Sequence, residues 1–260
     1  MITLFGGNQN IELQWWTFPG GERNVKILDP VAIQRYGSFT IKCDYKGSND
    51  IIDLLLLVNA CRNVHRIVKL RLLIPYFPFA RQDRVMTPGE PFALQVMVNI
   101  IKSCNFTEIE VWDPHSDVLA GMFEPGTLKI VPQEDMILID DFVDACLVSP
   151  DAGALKKIYK VAKRTHLPVV EGSKVRDIET GKIIATKIGD EIKNYKKAYI
   201  VDDICDGGAT FIELAKAIRE KNPFMKIVLH VTHGIFSKGR EPVLQMINEI
   251  HCINPMDSVV

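Results

Sequence analysis

The stretch of sequence that decides the fold is Asp202-Asp203-Ile204-Cys205-Asp206-Gly207-Gly208-Ala209-Thr210. It follows a short apolar run, 197–201, and precedes a run with helical spacing, 211–221. This order predicts a strand, a glycine-bearing loop and then a helix. Small residues let the backbone approach a ligand closely, and a helix N-terminus offers N–H groups and partial positive charge. The loop is therefore predicted to hold a phosphate.

Carboxylates stand beside this loop, because Asp202 and Asp203 precede it and are placed to accept hydrogen bonds from sugar hydroxyls. Thr210 and Glu213 have the spacing of a capping box, which predicts a defined helix start. The combination suits a sugar phosphate, and the structural alternative is an acidic strand end followed by a glycine turn. Residues 139–144 repeat the Asp-Asp-x-x-Asp spacing without a glycine turn, and they predict only a solvated helix or loop.

The composition is that of an ordinary folded protein with room for two modest domains, since the chain has 260 residues and is 47% hydrophobic and 24% charged. A net charge of -1 disfavours a nucleic-acid partner. The six cysteines are scattered without a Cys-x-x-Cys pair, which favours a reducing compartment over a zinc ribbon or a disulfide framework. Residues 1–8 lack the features of a signal peptide, and the apolar run 54–58 is too short to span a bilayer. We expect a cytoplasmic protein with no membrane partner.

Short apolar runs alternate with longer amphipathic stretches along the chain. The predicted strands are 67–74, 108–112, 145–148, 167–170, 182–188, 197–201 and 226–231. The predicted helices are 51–63, 92–103, 154–165, 211–221 and 242–250. This alternation predicts α/β units around largely parallel sheets, which bind ligands beyond the carboxyl ends of their strands. A soft boundary falls at 124–133, where Pro125, Gly126 and Pro132 break the pattern.

The segment Val201–Asp206 resembles the phosphoribosyl pyrophosphate motif of type I phosphoribosyltransferase folds. Further segments resemble those of the phosphoribosyl pyrophosphate synthetases, also called ribose-phosphate diphosphokinases, and they keep the family's order over most of the chain. These segments are Phe18-Pro19-Gly20-Gly21-Glu22, 74–83, 148–153 and 231–237, with Asp113-Pro114-His115 and 121–123 as a weaker match.

The resemblance implies an α/β protein of two tandem type I phosphoribosyltransferase-like domains with largely parallel sheets. Residues 1–128 would form the ATP side and residues 129–260 the ribose 5-phosphate side, with the last residues expected to return to the first domain. The implied reaction transfers the diphosphoryl group of ATP to the C1 hydroxyl of ribose 5-phosphate, giving phosphoribosyl pyrophosphate and AMP. Mg²⁺ is the implied cofactor, and a homo-oligomer of at least two chains is the implied assembly.

The resemblance also assigns roles to individual residues. The implied ATP-binding residues are Phe18, Gly20, Glu22, Arg81, Gln82 and His115. The implied ribose 5-phosphate residues are Asp202, Asp203, Asp206, Gly207, Gly208, Ala209 and Thr210. Lys174 and Arg176 match the catalytic Lys-x-Arg, and His115 and Asp151 match the positions associated with the metal. From the residues alone, Lys174 and Arg176 are ordinary surface charges, and His230 and His233 are structural.

The chain departs from the family pattern at several places. The stretch between Asn8 and Phe18 is shorter than the family's helix and strand, and family members typically run longer than Val260. Gly20 stands where the family has Asp or Asn, so selectivity for ATP is expected to be relaxed. Gly207 and Ala209 lie in a loop, residues 207–210, that has the sequence Thr-Gly-Gly-Thr or a close variant in the family. Gly207 lacks a hydroxyl, so we expect weaker binding of ribose 5-phosphate, whereas Ala209 is strained only if its φ is positive.

Two alternatives stay open at the level of sequence. A non-catalytic regulatory relative of the synthetase would keep the fold and lose the catalytic cations, yet Lys174, Arg176 and Asp206 are present. A true phosphoribosyltransferase would explain residues 202–210 but not the segments around Arg81, Ser149 and Thr232.

Overall fold

The structure is a computed structural model that describes residues 1–139, 141–176 and 183–256. It divides into two compact units, Met1–Val131 and Pro132–Val260. The division falls inside the stretch 124–133, where proline and glycine interrupt the sequence pattern. Among the described residues, no helix combines the length and the apolarity needed to cross a membrane.

The first unit is a mixed sheet with helices packed on it. Its strands are β1 (Ile2–Gly6), β2 (Gln9–Ile11), β3 (Leu13–Thr17), β4 (Arg23–Ile27), β5 (Ser38–Cys43), β6 (Lys69–Leu73), β7 (Glu108–Trp112) and β8 (Leu128–Val131). Its helices are α1 (Pro30–Tyr36), α2 (Ser48–Val64) and α3 (Ala93–Ser103). The main sheet has the order β2-β1-β5-β6-β7-β8, and β5 to β8 run parallel. The strands β3 and β4 form a separate antiparallel ribbon.

The second unit is a more regular parallel sheet. Its strands are β9 (Ala145–Ser149), β10 (Val169–Arg176), β11 (Ile183–Ile188), β12 (Lys197–Cys205), β13 (Lys226–Gly234) and β14 (Glu249–Pro255). Its helices are α4 (Gln133–Met136), α5 (Leu155–Thr165), α6 (Ala209–Lys221) and α7 (Glu241–Leu244). The sheet has the order β11-β10-β9-β12-β13-β14, in which only β10 and β11 pair antiparallel.

Buried strands hold the core of each unit. Every residue of β9 is buried, and so is every residue of β13 after Lys226. Such strands are typical of parallel sheets that are covered on both faces. In the first unit, α2 places Ile51, Leu54 and Leu57 against the sheet. These packed sheets give the loops at their edges a rigid support.

The sequence prediction is confirmed for the central strands and for α2, α3, α5 and α6, but it is wrong for residues 242–250 and misses several elements. The predicted helix 242–250 is instead the short α7 followed by β14, because β14 pairs parallel with β13 and so satisfies its backbone in the sheet. This pairing keeps the chain in the second unit through Pro255, and the last residues, 257–260, lie outside the described part of the chain, so their return to the first domain stays a prediction. The strands β1 to β5 and β8 and the helices α1 and α4 were not predicted.

Candidate functional site

The acidic segment of the second unit lies inside a strand and not after it. The sequence pattern ends the strand at Val201, whereas β12 continues to Cys205 and pairs with β13 as far as Gly234. Successive side chains of a strand leave opposite faces of the sheet. Asp202 and Asp203 therefore point in different directions: Asp203 is buried, and Asp202 is partly exposed.

Lys157 of α5 pairs with the buried Asp203. Its Nζ donates a hydrogen bond to Asp203 Oδ2 at 2.9 Å, and its side chain is 25% exposed. Lys157 was not predicted from the sequence, because one lysine in an amphipathic helix gives no signal of a partner 46 positions away. This ion pair fixes the first turns of α5 against the acidic strand.

Asp202 is held in a setting that favours its neutral form. Burial by the surrounding protein and the neighbouring Asp203 carboxylate raise the pKa of Asp202 well above its ordinary value. Asp151 raises the pKa further, whereas Lys157 and the hydrogen bond from the Asp203 N–H, 2.9 Å from Asp202 Oδ1, oppose the shift. A carboxyl group with a raised pKa can donate as well as accept hydrogen bonds, which suits contact with sugar hydroxyls.

The loop from Asp206 to Gly208 ends at the first residue of α6. Gly208 is the N-cap residue, with a left-handed φ of 78°, and a Cβ on it would lie 2.4 Å from Val243 Cγ2. Both the backbone conformation and the close approach therefore require glycine here. Ala209 and Thr210 are the first helical residues, and neither is in the left-handed region, so the departure at Ala209 causes no strain.

The predicted capping box is wrong, because Gly208 and not Thr210 precedes the helix, and no side chain caps it. The helix leaves its first N–H groups without carbonyl partners of its own, and these groups face the end of the loop. Such an arrangement suits an anion, and the binding of a phosphate here stays a prediction.

A second loop, residues 235–240, packs against the start of the loop that leads into α6. The N–H groups of Ile235 and Phe236 donate to the carbonyl oxygen of Cys205 at 2.8 and 3.2 Å. Ser237 Oγ donates to Asp206 Oδ1 at 2.6 Å. Asp206 is thus positioned by a loop that lies some 30 residues further along the chain.

The loop after β9 reaches the same edge of the sheet. Asp151 Oδ1 accepts hydrogen bonds from the N–H groups of Gly153 and Ala154 at 3.0 and 3.2 Å, and Ser149 Oγ donates to the Asp151 carbonyl at 2.8 Å. Because β9 and β12 are parallel neighbours, their carboxyl ends lie together. The structure therefore brings Asp151 together with Asp202 and Asp203, as the effect of Asp151 on the pKa of Asp202 also indicates.

The buried side-chain amide of Gln133 links the strands β12 and β13. Gln133 is 2% exposed, and its Nε2 donates to the carbonyl oxygen of Asp202 and to Thr232 Oγ1. The sequence analysis assigned Gln133 only to the domain boundary, because nothing near it in sequence shows its partners. His233 is buried, and its Nδ1 lies 3.0 Å from Asn254 Nδ2, which fits the structural role expected for it.

The predicted catalytic cations lie on the strand β10. Its backbone continues through Lys174 and Arg176, which pair with Thr186 and Ile183 of β11 across an irregularity after Val175. The sequence pattern ended this strand at residue 170 and placed both cations in a loop. Their side chains fall outside the described part of the structure, so their roles stay predictions.

In the first unit, the segment Phe18–Glu22 is the turn of the β3–β4 ribbon. Phe18 N donates to the Glu22 carbonyl at 2.8 Å, and the Phe18 ring is 47% exposed. A Cβ on Gly20 would lie 2.5 Å from Glu22 Oε2, so glycine leaves room for that carboxylate. Arg23 anchors the ribbon through Asp53 of α2, with Nε 2.7 Å from Oδ1.

Asp83 joins the two loops that carry the other predicted ATP residues. Its carboxylate accepts hydrogen bonds from Arg84 Nε at 2.7 Å and from Ser116 Oγ at 2.6 Å, and these bonds lower the pKa of Asp83 to about 2. The Ser116 bond holds the loop with the exposed His115 against the loop with the exposed Arg81 and Gln82. The structure thus brings Arg81, Gln82 and His115 to one edge of the first sheet.

The predicted metal residues lie in different units: His115 in the first and Asp151 in the second. No group of three or more His, Cys, Asp or Glu side chains within the described ranges could hold a metal ion. Asp151 offers the hard oxygen donors that Mg²⁺ prefers, whereas an imidazole does not, so the donor chemistry favours Asp151.

The structure has two α/β units with mostly parallel sheets, and the acidic strand of the second unit leads through a glycine loop into a helix. These features define a protein of two phosphoribosyltransferase-like domains. The model of the N-terminal domain of ribose phosphate pyrophosphokinase matches residues 5–104. A ribose-phosphate pyrophosphokinase of Thermosipho africanus is 30% identical over 283 residues, covering 99% of this chain and 86% of that protein. One of Pyrococcus abyssi is also 30% identical, over 100% of this chain and 88% of that protein.

The fold agrees with a solved structure, that of phosphoribosylpyrophosphate synthetase from Mycobacterium smegmatis. The TM-score is 0.78 at 18% identity, over 93% of this chain and 80% of that one. The chain belongs to the ribose-phosphate pyrophosphokinase family.

Proposed function

We propose that this chain is a ribose-phosphate diphosphokinase, which transfers the diphosphoryl group of ATP to the C1 hydroxyl of ribose 5-phosphate. One observation carries the proposal: the acidic strand β12 ends in a loop whose left-handed Gly208 opens α6. Pentose hydroxyls and a 5-phosphate fit these two neighbouring features. Family membership supports the same reaction.

The ribose 5-phosphate would be held by its two ends. The N–H groups at the start of α6 would receive the 5-phosphate, and Asp202 and Asp206 would face the hydroxyls, while the buried Asp203 stays paired with Lys157. Fixing both ends of a small substrate restricts the direction in which its C1 hydroxyl reacts, and this alignment is a large part of catalysis for phosphoryl transfer.

The ATP would lie against the residues that the first unit presents. Arg81 and Gln82 would contact the nucleotide, with Phe18, Gly20 and Glu22 as the predicted base-side residues. A planar guanidinium suits either a phosphate or a base face. The fixed Asp83–Ser116 contact keeps His115 beside this group.

The bond changes balance without a cofactor that carries electrons. The C1 oxygen forms a bond to the β-phosphorus, the bond from that phosphorus to the α–β bridging oxygen breaks, and AMP leaves with that oxygen. The hydroxyl proton passes to solvent, and we assign no general base. Lys174 and Arg176 would stabilise the negative charge of the transferring group.

Asp151 would hold the Mg²⁺ expected for this reaction, together with phosphate oxygens and water. The ion, when bound, supplies neutralisation of the phosphate charge. We further expect a cytoplasmic homo-oligomer of at least two chains that acts on ATP and ribose 5-phosphate and not on nucleic acid. All six cysteines are free thiols, and a reducing compartment is expected to keep them so.

The test is release of AMP from ATP in the presence of Mg²⁺ and ribose 5-phosphate. Wild type should release AMP only when ribose 5-phosphate is present, and Lys174→Ala should lower kcat at least about a hundredfold. Lys187→Ala, which removes an exposed lysine from the paired strand β11, is the matched control. Absence of AMP release would favour a non-catalytic relative, and pyrophosphate release from phosphoribosyl pyrophosphate and a nucleobase would favour a phosphoribosyltransferase.

A further inference from the structure

The side chain of Lys238 covers the phosphate loop at the residue that has no side chain of its own. A Cβ on Gly207 would lie 3.5 Å from both Cδ and Cε of Lys238. The ammonium is one bond of about 1.5 Å beyond Cε, so it lies within about 5 Å of that position. The lysine therefore extends along the backbone of the loop that is shaped for a phosphate.

The backbone that carries Lys238 is fixed relative to this loop. On its N-terminal side, Ser237 Oγ donates to Asp206 Oδ1 at 2.6 Å, and Phe236 is buried and donates its N–H to the Cys205 carbonyl. A cation attached so close to the start of the loop reaches the same place without ordering a longer segment, which lowers the entropy cost of binding.

The charge of Lys238 has no protein partner in the part of the chain that the structure describes. Its ammonium makes neither a hydrogen bond nor an ion pair there, and its side chain is exposed. It lies beside the N-terminus of α6, whose partial positive charge disfavours a second cation. A bound dianion removes this conflict, because it attracts both the helix terminus and the lysine.

We propose that Lys238 is a substrate-positioning residue that binds the 5-phosphate of ribose 5-phosphate. It supplies, from the neighbouring loop, the contact that a hydroxyl side chain at position 207 would supply. The inference rests on the proposed function for the identity of the sugar phosphate. The recognition itself is a lysine ammonium against a phosphate at a helix N-terminus.

The experiment compares Lys238→Met with wild type by steady-state kinetics and by calorimetric titration with ribose 5-phosphate. Methionine keeps most of the apolar stem and removes the charge. The KM and the Kd for ribose 5-phosphate should rise about tenfold, the effect of losing one charge-assisted hydrogen bond, with kcat and the KM for ATP within about twofold. Lys238→Arg should retain most of the affinity. Lys216→Met, which removes an exposed lysine paired with Glu213 on α6, is the control and should leave both constants unchanged.

A second arm tests the link to position 207. A threonine fits there, because Gly207 is not in the left-handed region and its Cβ would meet Lys238 at ordinary contact distance. Gly207→Thr should lower the Kd for ribose 5-phosphate, and Lys238→Met should then cost about threefold instead of tenfold.

The calorimetric readout separates this inference from the proposed function. If wild type binds ribose 5-phosphate in a Lys238-dependent way yet releases no AMP, the inference stands and the proposed reaction fails. If Lys238→Met binds ribose 5-phosphate as wild type does, or loses kcat at unchanged affinity, the inference is overturned whatever the activity. Absence of any binding by wild type overturns it as well.

Discussion

Substituting Gly208 by alanine is expected to damage both the stability of the second unit and the binding of ribose 5-phosphate. Two independent effects add at this residue. Its φ of 78° lies in the left-handed region, which costs an L-residue about 1 to 2 kcal/mol. Its new Cβ would lie 2.4 Å from Val243 Cγ2, and relieving such overpacking costs about 1 to 3 kcal/mol. The free energy of unfolding should therefore fall by about 2 to 5 kcal/mol.

The measurement is urea denaturation followed by far-ultraviolet circular dichroism. The three tryptophans, Trp15, Trp16 and Trp112, all belong to the first unit, so their fluorescence would not report on α6. The KM for ribose 5-phosphate, measured below the transition, should rise as well, because the N-terminus of α6 is displaced.

A double-mutant cycle with Val243→Ala separates the two effects. Removing both Cγ atoms of Val243 abolishes the overlap, so in that background Gly208→Ala should cost only the backbone part, about 1 to 2 kcal/mol. An equal cost in the two backgrounds would show that the overlap with Val243 does not matter. A total loss below about 1 kcal/mol in the wild-type background would contradict both parts of the reasoning.

Three further predictions concern charged and turn residues. Lys157→Met should lower the free energy of unfolding by about 1 to 3 kcal/mol, because it leaves Asp203 buried without the Lys157 ammonium, and adding Asp203→Asn should restore much of this loss. Denaturation curves of wild type, the single variant and the double variant measure both changes, and a double variant no more stable than Lys157→Met would contradict the pairing argument. The pKa of Asp83 is about 2 in the folded state, below the unfolded value of about 3.9, so the stabilisation by its carboxylate is present above pH 4 and lost as the pH falls through about 2. Between pH 4 and pH 2, the melting temperature of wild type should fall more steeply than that of Asp83→Asn. Parallel plots of melting temperature against pH would refute this. Gly20→Asp must displace the flexible end of the Glu22 side chain. Because the turn 18–22 is predicted to contact the adenine base, the substitution should raise the ratio of kcat/KM for ATP to kcat/KM for GTP about tenfold.

At the candidate site, patterns among adjacent residues predicted most of the local secondary structure. Hydrophobic spacing and glycine placement predicted a strand, a glycine-bearing loop and a helix in this order, and the structure confirms the order; the left-handed φ of Gly208 was not predicted. The same local reasoning assigned the helix cap to Thr210, which is wrong, because α6 starts after the left-handed Gly208, a residue that Val243 approaches too closely for any side chain. A contact with a residue of another element is invisible to spacing rules.

Strand ends were the least predictable feature. The sequence pattern stopped β12 at Val201 and read 242–250 as a helix, but β12 continues to Cys205 and β14 replaces most of that helix. In both cases, pairing with β13 decided the outcome. Polar residues such as Asp202 have low strand propensity, and the hydrogen bonds of a neighbouring strand outweigh that preference.

By itself, the sequence determined the α/β class, the order of the central strands and helices, and the glycine-bearing loop between β12 and α6. These features follow from periodicity and from the backbone freedom of glycine, which are properties of adjacent residues. Only the tertiary structure decided that Lys157 pairs with Asp203, that Ser116 joins the loops around Asp83, and that Lys238 lies over Gly207. Each of these contacts joins residues that are far apart in the chain, and their meeting depends on how the strands pack and not on the residues beside them.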